Sequence, residues 1–270
     1  VDLEMSFVHR DDVLTCLEGM IGAVFRDVIG KDLPLPLPRM SYRDAMDRFG
    51  SDKPDLRLAM EMADVSALSK ECGFKVFSET AVKGNNVKGL AVPGGAAKYG
   101  RAQVDKIVAR AVELGAKGLA WAKIEKGALT GQIAKFFDTA AQERFNTALG
   151  AKEGDLLLFV ADEWEKACTI LGTLRLQMGR DLDLIDKSRF AFTWIVDFPA
   201  FFKDSEGKWV AGQHPFTQVH PEDADRMMSE PGKVRSLQYD MVLNGIEIIG
   251  GSVRIHDWEI QKQVFSILGM

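Results

Sequence analysis

The chain has 270 residues, of which 46% are hydrophobic and 27% charged, a composition typical of a globular protein with one or two domains. Its net charge of −5 argues against wholesale wrapping of nucleic acid but permits a local basic patch. Three cysteines in no metal-binding spacing favour a reducing, cytoplasmic environment, and no apolar run reaches the length of a membrane span. The sequence starts at Val1 inside a regular pattern, so we expect a fragment of a longer protein.

The first seven residues alternate apolar and polar side chains, which predicts a strand. Asp2, Glu4 and Ser6 would share one face, where the acids could hold an amine or a metal, or could simply face water. A helix is predicted from Asp11 to about Ile29, followed by a stiff proline-rich connector. A second, short helix is predicted to start near Ser41. The charged loop that follows it, residues 49–57, could touch a charged substrate or be an ordinary surface turn.

Short apolar strands alternate with helical segments from about residue 74 to about residue 186. This pattern predicts a compact α/β or α+β insertion domain over residues 74–186, between residues 1–73 and residues 187–270, which would form the two parts of another domain. The predicted strands are 75–77, 87–92, 118–124 and 156–160, and the predicted helices are 101–114, 140–149 and 163–178.

Two basic side chains, Lys106 and Arg110, lie one turn apart on the first helix of the insertion. Such a basic edge could lie along an RNA backbone. An ordinary solvated helix face explains the same pattern.

After the insertion, the nearly apolar segment Ala191 to Phe198 predicts a central strand buried on both faces. His214 precedes Pro215, which favours an extended backbone at the histidine. This histidine could contact a substrate carboxylate or be structural. A terminal amphipathic helix is predicted from Asp257 to Leu268.

The most informative stretch is residues 239–256. A strand from Tyr239 to Leu243 and a second from Ile246 to Ile249 flank Asn244-Gly245, a strong hairpin turn signal. The pair Gly250-Gly251 is expected to break the second strand, and residues 252–256 are expected to begin a third.

Two acids and an arginine lie on this hairpin. Asp240 and Glu247 fall on opposite limbs, so both could point at one cation, and Arg254 follows the diglycine. Carboxylates with a fixed guanidinium suit a Mg-bound phosphate substrate beside a carboxylate substrate. A solvated hairpin with ordinary surface charges is the alternative.

Taken together, these segments resemble bacterial-type aspartyl-tRNA synthetases, class II enzymes of the aspartate, asparagine and lysine subgroup. The resemblance implies a class II antiparallel sheet with flanking helices, interrupted by a GAD-type insertion domain. The residues that carry it run through the chain in the expected order and are 1–7, 49–57, 194–199, 214–217, 239–247 and 250–256.

The resemblance also implies an aspartate–tRNA ligase activity with L-aspartate, ATP, Mg and tRNA-Asp, in a homodimeric parent protein. Arg254 would clamp the aspartate side-chain carboxylate, because bidentate geometry discriminates a carboxylate from an amide. Asp2 would hold the α-ammonium group, while His214 and Gln213 would line the aspartate pocket. The pair Asp240 and Glu247 would hold Mg and thereby the ATP phosphates. The mechanism would be mainly positioning and charge neutralisation, not acid–base chemistry.

Three departures from the family pattern stand out. The chain lacks the last class II motif, so we expect the isolated fragment to be inactive. Gln213 replaces a histidine, which keeps hydrogen bonding but cannot carry a charge. Ile249 replaces a glycine, and a β-branched residue there is expected to resist positive φ and to add bulk near the phosphates.

A second function class is a non-catalytic tRNA-binding module or a paralogue with a degenerate half-site. It would be built from the insertion and would use Lys106 and Arg110 for RNA contact.

Overall fold

The computed structural model describes all residues from 1 to 270. Its contacts divide the chain into two compact units. The first unit combines Val1–Arg43 with Ala191–Met270, and the second unit is Asp44–Phe190. No helix is both long and apolar enough to cross a membrane.

Helices and strands are mixed along the chain, which confirms the predicted α+β class. The α-helices are α1 Arg10–Val24, α2 Tyr42–Phe49, α3 Ser66–Ser69, α4 Lys75–Val82, α5 Gly95–Lys98, α6 Arg101–Glu113, α7 Thr139–Leu149, α8 Trp164–Asp181 and α9 Trp258–Leu268. A π-helical turn, Phe25–Ile29, continues α1. Three short 3-10 turns are Ala134–Phe136, Pro221–Arg226 and Pro231–Lys233.

The strands form three sheets with the orders β1-β7-β10-β11, β2-β3-β6-β4-β5 and β8-β9. All strand pairs are antiparallel except β1 with β7. The strands are β1 Arg39–Ser41, β2 Met62–Asp64, β3 Asn86–Val92, β4 Ala120–Glu125, β5 Ala128–Thr130, β6 Leu156–Asp162, β7 Phe192–Val196, β8 Phe201–Lys203, β9 Trp209–Ala211, β10 Gln238–Leu243 and β11 Ile246–Ser252.

The first unit packs α1 against one face of its four-stranded sheet. Alternate residues of β7 and β10 share this face, because side chains on a strand alternate between its two sides. They form a core with the apolar side of α1. Within this core the fully buried Trp194 donates to Glu18 of α1 at 2.9 Å, which satisfies both buried polar groups. The predicted central strand and the first helix are therefore confirmed.

The second unit contains the five-stranded sheet and a hydrophobic core that is rich in phenylalanine. Four of these rings, Phe77, Phe137, Phe145 and Phe159, contact one another at centroid distances of 4.9–6.4 Å. Most predicted helices and strands of this region are present. The unit contains the whole predicted insertion of residues 74–186 and begins earlier, because β2 pairs with β3. The bounds of the insertion domain and its GAD identity stay predictions.

Two predicted strands are wrong. Residues 1–7 form no strand, and Val1 and Phe7 are fully exposed. The alternation of apolar and polar residues does not produce a strand here, because no neighbouring strand pairs with this segment. Residues 75–77 belong to helix α4, where Phe77 and Ala81 are buried four residues apart on one helical face. Their packing outweighs the local preference of valine and phenylalanine for strands.

Helix α8 meets the end of α2 through two glycines that lie in contact. A Cβ on Gly50 would lie 2.2 Å from the carbonyl oxygen of Cys168, and one on Gly172 would lie 2.7 Å from Cα of Gly50. Gly50 also has a φ of +69°, which side-chain-bearing residues rarely adopt. Both positions therefore need glycine for the backbones to approach this closely.

Arg175 of α8 is a buried cation that holds the loop after α2. Its guanidinium donates to the carbonyl oxygens of Asp55, Leu58 and Met60 at 2.5–3.1 Å and lies 5.0 Å from the ring of Phe49. Burial lowers the pKa of Arg175 to about 10. Because it binds three backbone carbonyls of one loop, this residue fixes the conformation of that loop.

Replacing Arg175 with methionine should leave these three carbonyls without their donors. We expect Arg175→Met to lower the free energy of unfolding by about 3 kcal/mol, measured by urea denaturation. The exposed Arg180 on the same helix provides the control, and Arg180→Met should change stability by less than ~0.5 kcal/mol. Equal effects of the two substitutions would contradict the assigned role of Arg175.

Candidate functional site

The hairpin of β10 and β11 has the predicted turn. Asn244 and Gly245 have φ values of +55° and +84°, as a two-residue hairpin turn with two left-handed positions requires. The Asn244 side chain also accepts a hydrogen bond from the backbone of Ala191 at 2.8 Å. This contact attaches the turn to the start of β7.

A β-bulge in β11 sets which side chains share a face. Met241 pairs with Ile249, but Val242 pairs with Glu247, so Ile248 is an extra residue. Without it, Glu247 and Gly250 would lie on opposite faces, since they are three residues apart. The bulge places both on the face that carries Asp240.

Asp240 and Glu247 converge on Gly250. A Cβ on this glycine would lie 2.6 Å from Oε1 of Glu247 and 3.2 Å from Oδ1 of Asp240. Asp240 is only 3% exposed, whereas Glu247 lies at the surface. The structure thus brings together the two acids that the sequence pairs, at a strand position with no side chain. We call Asp240, Glu247 and Gly250 the carboxylate cradle.

The structure corrects the expectations about Ile249 and the diglycine. Gly250 and Gly251 continue β11 and do not break it, and residues 253–256 form only an isolated bridge. Ile249 has no positive φ, and its side chain packs against the apolar core on the opposite face from the cradle. It therefore adds no bulk beside Asp240 and Glu247.

Gly251, the second glycine of the pair, leaves room for the ring of Tyr239. A Cβ on Gly251 would lie 2.8 Å from the hydroxyl of Tyr239, its partner in register. The pKa of Tyr239 is raised, chiefly by burial. The positive charge of Arg254 lowers this pKa, and the negative charge of Glu4 raises it. Glu4, Tyr239 and Arg254 are therefore electrostatic neighbours.

Arg254 is positioned by a short pairing between two loop segments. Thr217 forms an antiparallel bridge with Arg254, and the adjacent backbone hydrogen bonds, from Ile255 to Phe216 and from Gln218 to Val253, are 2.9 and 2.8 Å long. The guanidinium is exposed. The segment that carries Arg254 is thus held next to the segment that begins at His214.

His214 and Gln213 line a small pocket together with Thr217 and Ser236. The His214 Nδ1 atom accepts a hydrogen bond from the backbone of Phe216 at 3.2 Å. The ring proton of the neutral imidazole is then on Nε2, which can donate to an acceptor such as a carboxylate. Of these pocket residues, Thr217 is the one that pairs with Arg254.

Asp2 has no hydrogen bond or ion pair with this group. Its side chain is exposed, and it forms no hydrogen bond or ion pair. Glu4, two residues later, is the N-terminal acid whose charge reaches Tyr239. The sequence signal for both is the same alternation, so it could not distinguish them.

Lys106 and Arg110 lie on the exposed side of α6 in the second unit. Arg110 forms an ion pair with Glu113 at 3.0 Å, and Arg101 pairs with Asp105 at 3.1 Å. The helix surface therefore carries charges of both signs, which weakens the predicted basic edge.

The sequence reasoning missed Gln238 and Ser252. These residues pair at the start of β10 and the end of β11 and lie on the face of the cradle. Counting back two residues from Asp240 would have found Gln238, but the predicted strand began one residue too late.

Comparison with known proteins places the chain in a family. The model for class II tRNA synthetases (D, K and N) matches residues 1–270. The chain is 49% identical to the aspartate–tRNA(Asp/Asn) ligase of Moorella thermoacetica, 45% identical to the aspartate–tRNA ligase of Lysinibacillus sphaericus and 45% identical to the aspartate–tRNA(Asp/Asn) ligase of Bacillus subtilis. All 270 residues align, and they span 45–46% of the length of these relatives. The chain belongs to the class II tRNA synthetases of the aspartate, lysine and asparagine type.

Proposed function

We propose that the chain is part of an aspartate–tRNA ligase, which activates L-aspartate with ATP and transfers it to the 3′ end of tRNA-Asp. The relatives named above are ligases of this kind. The observation that carries the proposal is the convergence of Asp240 and Glu247 on Gly250, on the strand that leads to Arg254. One short segment thus supplies groups for a metal-bound triphosphate and for a carboxylate.

The first step joins the two small substrates. An oxygen of the aspartate α-carboxylate attacks the α-phosphorus of ATP, and the bond to the β-phosphate breaks, which releases pyrophosphate. In the second step a ribose hydroxyl of the tRNA attacks the acyl carbon, with loss of AMP and a proton. Both steps move charge between substrate oxygens, so positioning and electrostatic stabilisation suffice.

Asp240 and Glu247 fit a Mg ion that also binds ATP. No three His, Cys, Asp or Glu side chains in the chain are grouped to hold a metal. Two carboxylates alone match Mg, because this ion keeps water and substrate phosphates as its other ligands. When bound, Mg would neutralise phosphate charge.

Arg254 would bind the side-chain carboxylate of aspartate. A guanidinium offers two parallel donors to a carboxylate, whereas an amide can accept at only one oxygen. His214 with its Nε2 proton, and Gln213, would line the same pocket, and Asp2 would hold the α-ammonium group. Arg254 is exposed, as expected for a residue that would bind a carboxylate only when aspartate is present.

The wider assembly follows from the same family resemblance. We propose that the second unit contains a GAD-type insertion, that the parent protein is a cytoplasmic homodimer, and that Lys106 and Arg110 contact tRNA. The charge of the exposed Lys106 supports the last of these.

The ligase proposal is tested by aspartate-dependent exchange between ATP and pyrophosphate. The protein would be expressed from its complete native reading frame, with asparagine in place of aspartate as the substrate control. Exchange with aspartate alone would support the ligase, and a folded protein without exchange would refute it.

Arg254→Lys in this protein should raise the KM for aspartate by roughly 10- to 100-fold, since a charge-assisted pair contributes about 1.5–3 kcal/mol. The KM for ATP should change by less than about twofold, because Arg254 would contact only aspartate. Arg26 is exposed on the π-helical turn, so Arg26→Lys is the matched control. Equal rises for aspartate and ATP would exclude the aspartate-clamping role.

Gly250→Ala should displace the Glu247 carboxylate, because the new methyl group would lie 2.6 Å from Oε1. Glu247 has a flexible side chain at the surface, so the melting temperature should hardly change. The Mg concentration for half-maximal exchange should rise on the order of tenfold. Gly19→Ala, where a Cβ meets nothing within 4 Å, is the control. A wild-type Mg requirement in the Gly250→Ala variant would show that the carboxylate cradle does not bind the metal.

Reversing the two charges of α6, with Lys106→Glu and Arg110→Glu, should weaken tRNA binding. The slope of log affinity against log salt should fall by about one for each phosphate that the helix no longer binds. Lys70→Glu with Lys83→Glu makes the same charge change at exposed positions elsewhere in the second unit. Filter binding over a range of salt would measure both, and equal slopes for the two pairs would remove α6 from the RNA interface.

A further inference from the structure

Gln238 is a buried amide next to the carboxylate cradle. Its side chain is 8% exposed, and it precedes Asp240 by two residues, so both lie on one face of β10. Its Nε2 atom lies 3.4 Å from Oδ1 and 3.4 Å from Oδ2 of Asp240. Since an ionised carboxylate only accepts hydrogen bonds, the amide must present its nitrogen.

This contact addresses a specific weakness of the aspartate side chain. The terminal torsion of aspartate has broad minima, so the side chain alone does not fix the plane of its carboxylate. A donor equidistant from both oxygens opposes rotation in either direction. The restraint matters because Oδ1 of Asp240 is the oxygen that faces Gly250 and Glu247.

The amide also leaves the charge of Asp240 intact. A lysine or arginine at this position would cancel the negative charge that a cation requires. The neutral amide supplies a hydrogen bond to a buried carboxylate while the charge stays available. Outer groups that orient a metal-binding carboxylate act in this way in many metal sites.

We propose that Gln238 is a positioning residue for the metal-binding carboxylate, holding Oδ1 of Asp240 toward the cradle for the cation that accompanies ATP. The inference rests on the proposed function, since that function supplies the cation. Gln238 itself does not bind the ion.

The test replaces the amide by a side chain of similar shape without a donor, Gln238→Met, in the protein from its complete reading frame. The matched control is Gln218→Met, because Gln218 is an equally buried glutamine, 9% exposed, with no hydrogen bond to Asp240. Two quantities are measured: binding of Mn2+ in the presence of a non-hydrolysable ATP analogue, by electron paramagnetic resonance, and the Mg and aspartate dependence of pyrophosphate exchange.

We expect Gln238→Met to weaken Mn2+ binding and to raise the Mg requirement on the order of tenfold, with the KM for aspartate unchanged. A merely structural role would change all constants together or lower the melting temperature alone. Metal binding within about twofold of the wild type would overturn the proposal.

A second variant, Gln238→Glu, covers the case in which the methionine variant does not fold. Its ionised carboxylate cannot donate and repels Asp240, so metal binding should again weaken. Tighter binding would instead make residue 238 a direct ligand and overturn the positioning role. Absence of aspartate-dependent exchange in the wild type would refute the ligase proposal, while the Mn2+ comparison would still decide the role of Gln238.

Discussion

The candidate site depends on a single extra residue in a strand. Ile248 shifts the pairing of β11, and this shift brings Gly250 opposite Asp240, on the face that also carries Glu247. It also turns Ile249 to the opposite face, where it joins the core on α1. A regular hairpin from the same turn would pair Asp240 with Ile249, which would expose the isoleucine beside the two carboxylates and move Gly250 to the opposite face. Conformation at one position therefore decides both the chemistry of one face and the packing of the other.

Buried charges recur in both units, and their partners are of three kinds. Asp240 has a neutral amide next to it, and Arg175 uses backbone carbonyls. In the second unit Lys88 is 1% exposed and forms an ion pair with Asp47 at 2.5 Å. In the first unit Arg235 lowers the pKa of Asp223 to about 2. The pairs that involve two charges fix loops and helices, whereas the amide beside Asp240 orients that carboxylate without cancelling its charge.

Local chemistry explains which features could be predicted. The Asn244-Gly245 turn follows from the positive φ that both residues accept, and the central strand follows from a continuous apolar run. The bulge at Ile248 carries no such local signature. Because the bulge was not predicted, Gly250-Gly251 was expected to end the strand, and Ile249 was expected beside the phosphates and not in the core. The helix over residues 75–82 was missed because its formation depends on packing of Phe77 in the core of the second unit.

The two glycines between α2 and α8 have a genetic consequence. In most cores a side chain that becomes too large can be accommodated when its neighbour becomes smaller. At this contact each residue already has the smallest possible side chain, and the atoms in the way are the backbones of Gly50, Gly172 and Cys168. A substitution at either glycine thus has no second-site suppressor at the other. Relief would require movement of a whole helix.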